Sequence, residues 1–428
     1  MNEFIYKNKD IAVTTFIFIV SFIYYYVGCI ELLSHGFYEK INIAFDLDQS
    51  WYFDMVGRDS VDWIYKVASD TRPLVIKHPF IYLYYYFGCI LNNFGFSNNL
   101  SVIVLSQVFH SGSLVLSFFI FRNMGRSSLE SSFLIFGLAG TSTYISTGLV
   151  LDSYSLVIFW ISAIFLVLSR SIYRNIECPL WGRAFISIMA IGTTSYLIVL
   201  VVLMESALAA RIKKNIFNGC FFKSIFKQLL RVFILGILLF CVVYFQIISD
   251  IIEDPVAVIK RVYWAVNRPG EKQGILQVIS VFTVFSIISP RISYITLPGV
   301  ESITMIDLRL MDFGYVGWGA LIIMVLSISL KIKYKENRLF LIICFLWLGI
   351  NAGFHTVYQY RGSLFLYSGH FVLAVWVIYS ARLSNGIRNL KLVDILVVNI
   401  DKAIVFVLPV LIWVNNLYLY NNIIEIYN

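Results

Sequence analysis

Charged residues are scarce in this chain, and their scarcity limits the classes of protein to which it can belong. Of 428 residues, only 14% are charged and 59% are hydrophobic, and the mean hydropathy is +0.80. A soluble protein of this length cannot bury so much apolar surface, so the sequence predicts an all-α protein that crosses a membrane several times. The net charge of +8 does not indicate a nucleic-acid partner, because most basic residues lie in short loops between hydrophobic segments.

Motifs for metal, redox and nucleotide sites are also missing from the sequence. The six cysteines include no Cys-x-x-Cys pair, which leaves a zinc site or a redox motif unsupported. We find no P-loop, no internal repeat and no separate soluble stretch. We therefore interpret residues 1–428 as one membrane domain. It comprises an N-terminal module over 1–249 with an outer loop at 34–79, a second outer loop over 250–312, and C-terminal helices over 313–428.

Nine stretches are long and apolar enough to cross a bilayer, which takes about 20 residues. They lie at approximately 11–33, 100–121, 128–149, 153–169, 232–249, 314–330, 339–355, 363–381 and 403–421. A further apolar stretch at 80–91 would extend only ~18 Å as a helix. We therefore expect this stretch to dip into the outer leaflet as a short re-entrant segment.

The stretch over 184–210 is predicted to be either a hairpin or a single crossing. It is interrupted by small and hydroxyl-bearing residues at 192–195, and basic loops flank it, with Arg183 before it and Arg211 after it. A single crossing would place one basic loop outside, whereas a re-entrant hairpin places both inside. We favour the hairpin, because every strongly basic short loop then lies on one side. The first outer loop and the turn at 148–152 then face the other side.

The first outer loop begins with two carboxylates. Asp46 and Asp48 follow Phe45, and further aromatic residues come shortly after. A carboxylate among apolar groups tends to have a raised pKa, which suits a general base near neutral pH. The pair could instead hold a divalent cation through its oxygens, or be an ordinary solvated acidic loop. Either Asp46 or Asp48 could be the base.

The other end of this loop is basic. Lys77, His78 and Pro79 stand where the chain re-enters the membrane, and Arg72 precedes them. A cation at this depth can hold a lipid phosphate, to which His78 could donate a hydrogen bond and Arg72 a bidentate contact. The alternative is an interfacial lysine that extends its amine towards water. Because carboxylates stand at the other end of the loop, we favour a phosphate site.

Four more candidate residues lie at or near the predicted helices. Asp152 heads a helix, where it could be an N-cap, a base, a metal ligand or a contact for a substrate hydroxyl. Tyr367 and His370 are three residues apart, so they share a helix face, and Arg361 lies shortly before them. A histidine within the membrane normally faces a polar cavity or a partner, so His370 could bind substrate or could be satisfied by neighbouring helices. His110 lies among serines in the middle of a helix, and we interpret it as structural packing.

These features together resemble the GT-C-fold glycosyltransferases, which are multi-span enzymes that take a sugar from a polyprenyl-phosphate carrier. The likeness lies in Asp-Leu-Asp at 46–48, in Lys-His-Pro at 77–79, which is like the His-Pro signature of that fold, and in Leu-Asp at 151–152. The run at 365–370 is similar to one in uncharacterised bacterial members. Nine spans with a hairpin between the fourth and fifth also resemble the O-antigen-modifying glucosyltransferases of serotype conversion.

The resemblance implies an inverting sugar transfer on the periplasmic face of a bacterial inner membrane. Asp48, or else Asp46, would deprotonate a hydroxyl of a lipid-linked or surface polysaccharide, and that oxygen would attack the anomeric carbon of the sugar, most simply glucose. Polyprenyl phosphate would leave, with its charge held by Lys77 and by Arg72 or His78. We expect no cofactor. A divalent metal is compatible with this chemistry without being required.

Two rival functions are compatible with the same sequence. A flippase or transporter for a lipid-linked glycan needs intramembrane charges along a path through both leaflets, whereas the charges here gather at the outer face. An O-antigen polymerase usually places arginines in two large outer loops, and Arg261, Arg268 and Arg291 fit that pattern. The apolar run at 273–289 could also lie along the membrane and cap the site.

Overall fold

The computed structural model describes most of the helical part of the chain. The described residues are 2–39, 44–45, 83–213, 223, 225–227, 229–234, 236, 256, 273–296, 304–308, 312–331, 338–357, 364–381 and 398–425. The chain forms two compact units, which are described separately below. The first unit contains residues 1–49, 106–162 and 271–428, and the second contains residues 50–105 and 163–270.

Regular structure in the described residues is almost entirely helical. The helices are α1 (Asn2–Ser34), α2 (Leu83–Asn93), α3 (Asn98–Asn123), α4 (Ser128–Ala139), α5 (Ser142–Leu149), α6 (Tyr154–Arg174), α7 (Leu180–Thr193), α8 (Ile198–Lys213), α9 (Ile275–Ser280), α10 (Tyr315–Lys331), α11 (Arg338–Val357), α12 (Val372–Ser380) and α13 (Leu408–Glu425). The exception is an antiparallel pair of short strands, β1 (Ser293–Thr296) and β2 (Thr304–Asp307), in which Ser293 is opposite Asp307.

Within the described ranges, five helices are long and apolar enough to cross a membrane. They are Asn8–Ser34, Asn98–Asn123, Tyr154–Arg174, Leu339–Val357 and Val398–Glu425. Shorter apolar helices lie at Ser128–Ala139, Leu180–Thr193, Ile275–Phe285 and Tyr315–Ile328. The prediction of a helical, multi-pass membrane protein is confirmed at this level, while the count of nine spans stays a prediction.

The segment over 128–149, predicted as one span, forms two helices. α4 ends at Ala139, and α5 begins at Ser142 after its N-cap, Thr141. The Thr141 hydroxyl accepts a hydrogen bond from the backbone N–H of Tyr144 at 3.3 Å, which satisfies one of the donors freed by the new helix start. Hydrophobic length alone predicted a continuous helix here, but a threonine that caps a helix locally interrupts it.

Side chains from two other helices satisfy carbonyls at this break. The hydroxyl of Tyr25, on α1, donates to the carbonyl of Ala139 at 2.6 Å. The amide nitrogen of Asn416, on α13, donates to the carbonyl of Gly140 at 2.8 Å. Inside a membrane neither lipid nor bulk water can satisfy such groups, so these contacts make the break possible. The broken helix is therefore held by α1 and α13.

The apolar run at 273–289 packs within the first unit. It contains α9, a π-helical turn over Val281–Phe285 and a buried stretch that ends at Ser289. Asn416 donates to the carbonyl of Ile287 at 2.7 Å and accepts from the backbone N–H of Ser289 at 2.8 Å. This run therefore packs against α13, where the sequence alone allowed a segment lying along the membrane surface.

In the second unit, α7 and α8 fold back on each other. A 3-10 turn over Ser195–Leu197 joins them. Near the start of α7, the Nε of Arg183 lies 3.5 Å from the Oε1 of Glu205 on α8. At the far end of α8, Arg211 donates a hydrogen bond to Asn175, a few residues before α7 begins. Both ends of the segment are thus close together, which is the geometry of a hairpin. Its position relative to a membrane stays a prediction.

A buried ion pair ties together three segments of the first unit. The Arg126 side chain is fully buried before α4, and its guanidinium contacts both carboxylate oxygens of Asp401 at 2.5 and 2.7 Å. The same guanidinium donates to the carbonyl of Ser380, at the end of α12, at 2.9 Å. A buried guanidinium is tolerated only with such a partner, so the pair fixes the relative positions of these three segments.

We predict that Asp401→Asn lowers the free energy of unfolding by ~3 kcal/mol, because it removes the bidentate counter-charge of the buried Arg126 guanidinium and leaves only Glu130, whose Oε1 lies 3.5 Å away. The matched control is Asp312→Asn. This change removes an exposed pair in which the Nε of Arg291 lies 3.4 Å from the Oδ2 of Asp312. Exposed pairs contribute under ~1 kcal/mol, so the control should remain near wild type. Thermal unfolding in detergent measures both, and equal losses would contradict the structural role of the buried pair.

Candidate functional site

All of the predicted catalytic and phosphate-binding residues, and one of the predicted substrate-binding residues, lie outside the described residues. These are Asp46, Asp48, Arg72, Lys77, His78 and Arg361. Asp152, Tyr367 and His370 are described, and all three belong to the first unit. The described part of the candidate site is therefore built from these three residues and their neighbours in that unit.

The run Phe365–His370 is a 3-10 helix that leads through Phe371 into α12. The sequence predicted it as the start of a continuous span over 363–381. Residues three apart are eclipsed in a 3-10 helix, so Tyr367 and His370 point the same way. Their ring centroids are 6.3 Å apart, and the two planes differ by only 14°. The two side chains therefore share a face, as their spacing predicts, on a tighter helix than expected.

His355 joins these two rings, and the sequence analysis did not single it out. It lies in the last turn of α11 and is 1% exposed. Its ring centroid is 4.0 Å from that of Tyr367, with planes 25° apart, and 6.4 Å from that of His370, with planes 16° apart. The three nearly parallel rings are called the His–Tyr cluster below. The signal that could have found His355 is that histidine within a membrane helix is uncommon.

Helix α11 and the π-helical turn hold the His–Tyr cluster in place. The indole Nε1 of Trp347 donates to the carbonyl of His370 at 2.7 Å. One turn further along α11, the amide of Asn351 donates to the carbonyl of Trp347 at 2.7 Å. Phe282, in the π-helical turn, packs edge-on against His355 with ring centroids 5.6 Å apart. Such π-helical turns occur frequently at functional sites, because they redirect side chains within a helix.

Asp152 lies in the turn between α5 and α6. The carboxylate is largely buried and accepts a hydrogen bond from the backbone N–H of Ser153. Two residues later, the ring of Tyr154 lies 5.4 Å from that of His370. The backbone of Gly369 approaches so closely that a Cβ there would stand 2.5 Å from the Cδ1 of Tyr154. The turn thus brings a carboxylate to the same region as the two imidazoles.

The segment that precedes the acidic loop also contacts this region. Ala44 and Phe45 are fully buried, and the ring centroid of Phe45 is 4.7 Å from that of Phe365. Phe45 has a φ of 58°, a conformation that a bulky residue adopts only when its surroundings enforce it. Phe45 directly precedes Asp46 in the sequence. The described residue nearest to the acidic pair along the chain therefore packs on the 3-10 helix of the site.

The arrangement offers hydrogen bonding and flat ring surfaces in one buried place. A carboxylate, two imidazoles and two phenols can bind hydroxyl groups as donors and acceptors, and the ring faces can pack on a flat ligand. A carboxylate or an imidazole could also accept a proton. In the described ranges, no group of three or more His, Cys, Asp or Glu residues could hold a metal ion. The donors and acceptors of these side chains suit a ligand that bears hydroxyl groups.

We predict that Gly369→Ala destabilises the site, because the added methyl group would overlap the Tyr154 ring. Such overpacking typically costs ~1–3 kcal/mol. The matched control is Gly349→Ala in α11, where a Cβ would meet no atom within 4 Å. The control should be neutral or up to ~1 kcal/mol more stable, since alanine favours helix over glycine. Thermal unfolding of both variants decides the matter. A Gly369→Ala protein as stable as the control would disprove the close packing.

No protein-family model matches the sequence, and no curated protein matches it significantly. The resemblance to GT-C-fold enzymes therefore rests on the short motifs of the sequence. The case for a function rests on those motifs and on the residues of the site.

Proposed function

We propose that the protein is a membrane glycosyltransferase. It transfers a sugar, glucose by the resemblance, from a polyprenyl-phosphate carrier to a hydroxyl of a lipid-linked or surface polysaccharide, with inversion at the anomeric carbon. The reaction takes place on the periplasmic face of a bacterial inner membrane. The main supporting observation is the packing of Phe45 on Phe365, with ring centroids 4.7 Å apart. It supports an acidic pair that acts beside the His–Tyr cluster and Asp152.

In the proposed reaction, a carboxylate of the first outer loop activates the acceptor. Asp48, or else Asp46, takes the proton from the acceptor hydroxyl as its oxygen attacks the anomeric carbon. The bond between that carbon and the phosphate oxygen breaks, and polyprenyl phosphate leaves with the bonding electrons. Lys77, with Arg72 or His78, stabilises the negative charge on the departing phosphate. A phosphate leaves more readily than an alkoxide, so the step does not require a metal.

The His–Tyr cluster and Asp152 bind the sugar on this proposal. Tyr367, His370 and His355 present parallel ring surfaces, and their polar atoms can hydrogen-bond to sugar hydroxyls. The largely buried carboxylate of Asp152 can accept from one further hydroxyl. Arg361, predicted from sequence to bind substrate, precedes the 3-10 helix by four residues and belongs to the same proposed pocket. Hydroxyl stereochemistry would then be selected by the shape of this pocket.

The donor distinguishes this proposal from its rivals. Purified protein in liposomes is supplied with polyprenyl-phosphate-glucose, labelled in the sugar, and with polysaccharide acceptor. Release of polyprenyl phosphate together with label in the acceptor supports the proposed transferase. An O-antigen polymerase would lengthen lipid-linked glycan without using this donor, and a flippase would move the intact donor between leaflets. Either result would overturn the proposed function.

We predict that Asp48→Asn lowers the rate of sugar transfer by a factor of about 10²–10⁴, which is the usual contribution of a general base. The amount of the variant protein in the membrane should equal that of the wild type. Asp62→Asn, in the same loop, is the matched control and should keep wild-type activity. The assay follows labelled glucose into the acceptor. If only Asp46→Asn abolishes transfer, the base is Asp46. Full transfer by both Asp46→Asn and Asp48→Asn would refute a base in this loop.

We predict that Lys77→Ala raises the apparent KM for the lipid donor roughly tenfold or more, since a charge-assisted contact to the phosphate is lost. The apparent KM for the acceptor should stay near its wild-type value. Lys66→Ala, a lysine of the same loop, is the control and should change neither constant. Initial rates are measured at varied donor and acceptor concentrations. A change confined to the acceptor would show that Lys77 does not bind the phosphate.

A further inference from the structure

A buried polar face on α3 has no part in the proposed reaction. Gln107, His110 and Ser111 are spaced by three and four residues, so they lie on one side of the helix, and all three are buried. Helix α3 is among the five long enough to cross a membrane. Polar and ionisable groups at such depth are costly, and they normally face a polar partner or a water-filled space. Packing alone, as inferred from the sequence, does not account for this face.

Several polar atoms on this face lack a protein partner. Neither ring nitrogen of His110 makes a hydrogen bond to any residue that the structure describes, and the same holds for the Oε1 of Gln107 and the hydroxyls of Ser106 and Ser111. The backbone of Tyr144 approaches the imidazole outside hydrogen-bonding geometry. Buried polar groups almost always have a partner, and water supplies it where the protein does not.

Polar groups from two neighbouring helices surround the imidazole of His110. The ring of Tyr25, on α1, is 4.6 Å away between centroids, and the ring of Tyr144, on α5, is 5.0 Å away. The Tyr144 hydroxyl lies 3.1 Å from the Oγ of Ser113 on α3. A buried water needs two to four polar partners, and this cluster provides them from three helices.

The same face of α3 contacts the end of α5. The amide nitrogen of Gln107 donates to the carbonyl of Gly148 at 2.8 Å. The Nε2 of His110 lies 3.0 Å from the point where a Cβ on Gly148 would stand. Gly148 lies in the last turn of α5, and Asp152 lies four residues later, in the turn that follows this helix. Contacts that hold the backbone at Gly148 in position therefore also help to position the Asp152 carboxylate of the candidate site.

We propose that His110, Gln107 and Ser111 bind internal water within the first unit, and that this water supports the backbone at Gly148. His110 is then a positioning residue, because it acts on Asp152 through the end of α5 and not by touching substrate. The water site follows from buried, unpaired polar atoms around one imidazole. It goes beyond the proposed glycosyltransferase and does not depend on which ligand Asp152 meets.

X-ray footprinting tests this site without any assay of activity, because hydroxyl radicals formed from bound water oxidise the side chains next to it. Cys29 and Cys344 form a matched pair, since both are fully buried. The Sγ of Cys29 lies 3.3 Å from the Nε2 of Gln107, beside the cluster, whereas Cys344 lies on α11. We expect mass spectrometry to show Cys29 oxidised severalfold faster than Cys344 in the folded wild-type protein. Equal rates for the two cysteines would overturn the proposal.

Two substitutions separate water binding from packing. His110→Gln and His110→Leu both keep a medium-sized side chain, but only glutamine retains polar atoms for water. We expect His110→Gln to keep fast oxidation of Cys29 and near wild-type kcat. His110→Leu should lose the fast oxidation and lower kcat with little change in KM. If the two variants behave alike, His110 acts through its volume and the proposal fails.

The two proposals can fail separately. Fast oxidation of Cys29 in a protein that transfers no sugar would overturn the glycosyltransferase and leave the water site standing. Slow oxidation of Cys29 in an active transferase would overturn the water site and leave the proposed glycosyltransferase standing. If His110→Leu does not fold, the comparison of Cys29 with Cys344 in the wild-type protein still decides the question.

Discussion

The break between α4 and α5 is the constraint on which the first unit depends. Breaking an apolar helix frees backbone groups that neither lipid nor bulk water can satisfy, so other parts of the protein must supply the partners. Asn416 supplies several at once: it donates to the carbonyls of Gly140 and Ile287 and accepts from the backbone N–H of Ser289. An asparagine in an apolar helix is costly unless its amide is bonded, and here both its donor and its acceptor are used. The helix break is therefore stable only when α13 and the run at 273–289 pack against it, since Asn416 bonds to both.

This constraint also positions the candidate site. The hydroxyl of Tyr38 donates to the carbonyl of Leu149 at 2.6 Å, so the far end of α5 is held as firmly as its start. The site itself is formed by irregular backbone: the turn before α6, the 3-10 helix Phe365–His370 and the π-helical turn Val281–Phe285. In membrane proteins, irregular backbone is tolerated where it is buried in protein or lines a polar cavity, and ligand sites are built there. Regular helices support the site, and the interruptions between them provide its side chains.

Hydrophobic length predicted the long helices well and the interruptions poorly. The stretches at 100–121 and 339–355 correspond to the candidate spans Asn98–Asn123 and Leu339–Val357, because a run of apolar residues is itself the physical cause of a buried helix. The break inside 128–149 was not predicted, since it depends on a cap at Thr141 and on partners more than a hundred residues away. His355 was missed for a related reason. Tyr367 and His370 are neighbours through local spacing, whereas His355 reaches them only through the packing of α11 on the 3-10 helix.

The charges of the candidate site suggest a division of roles between its parts. The described side chains that form it are Asp152, Tyr154, Tyr367 and two histidines, and none of these is a lysine or an arginine. Such a group suits the neutral hydroxyls of a sugar. A buried phosphate needs a fixed cation nearby, because burying an unpaired charge in surroundings of low polarity is costly. The sequence offers those cations in Arg72 and Lys77, at the far end of the loop that follows Phe45. On the proposed function, the packed first unit therefore binds the sugar, and the loop brings both the base and the cation for the phosphate.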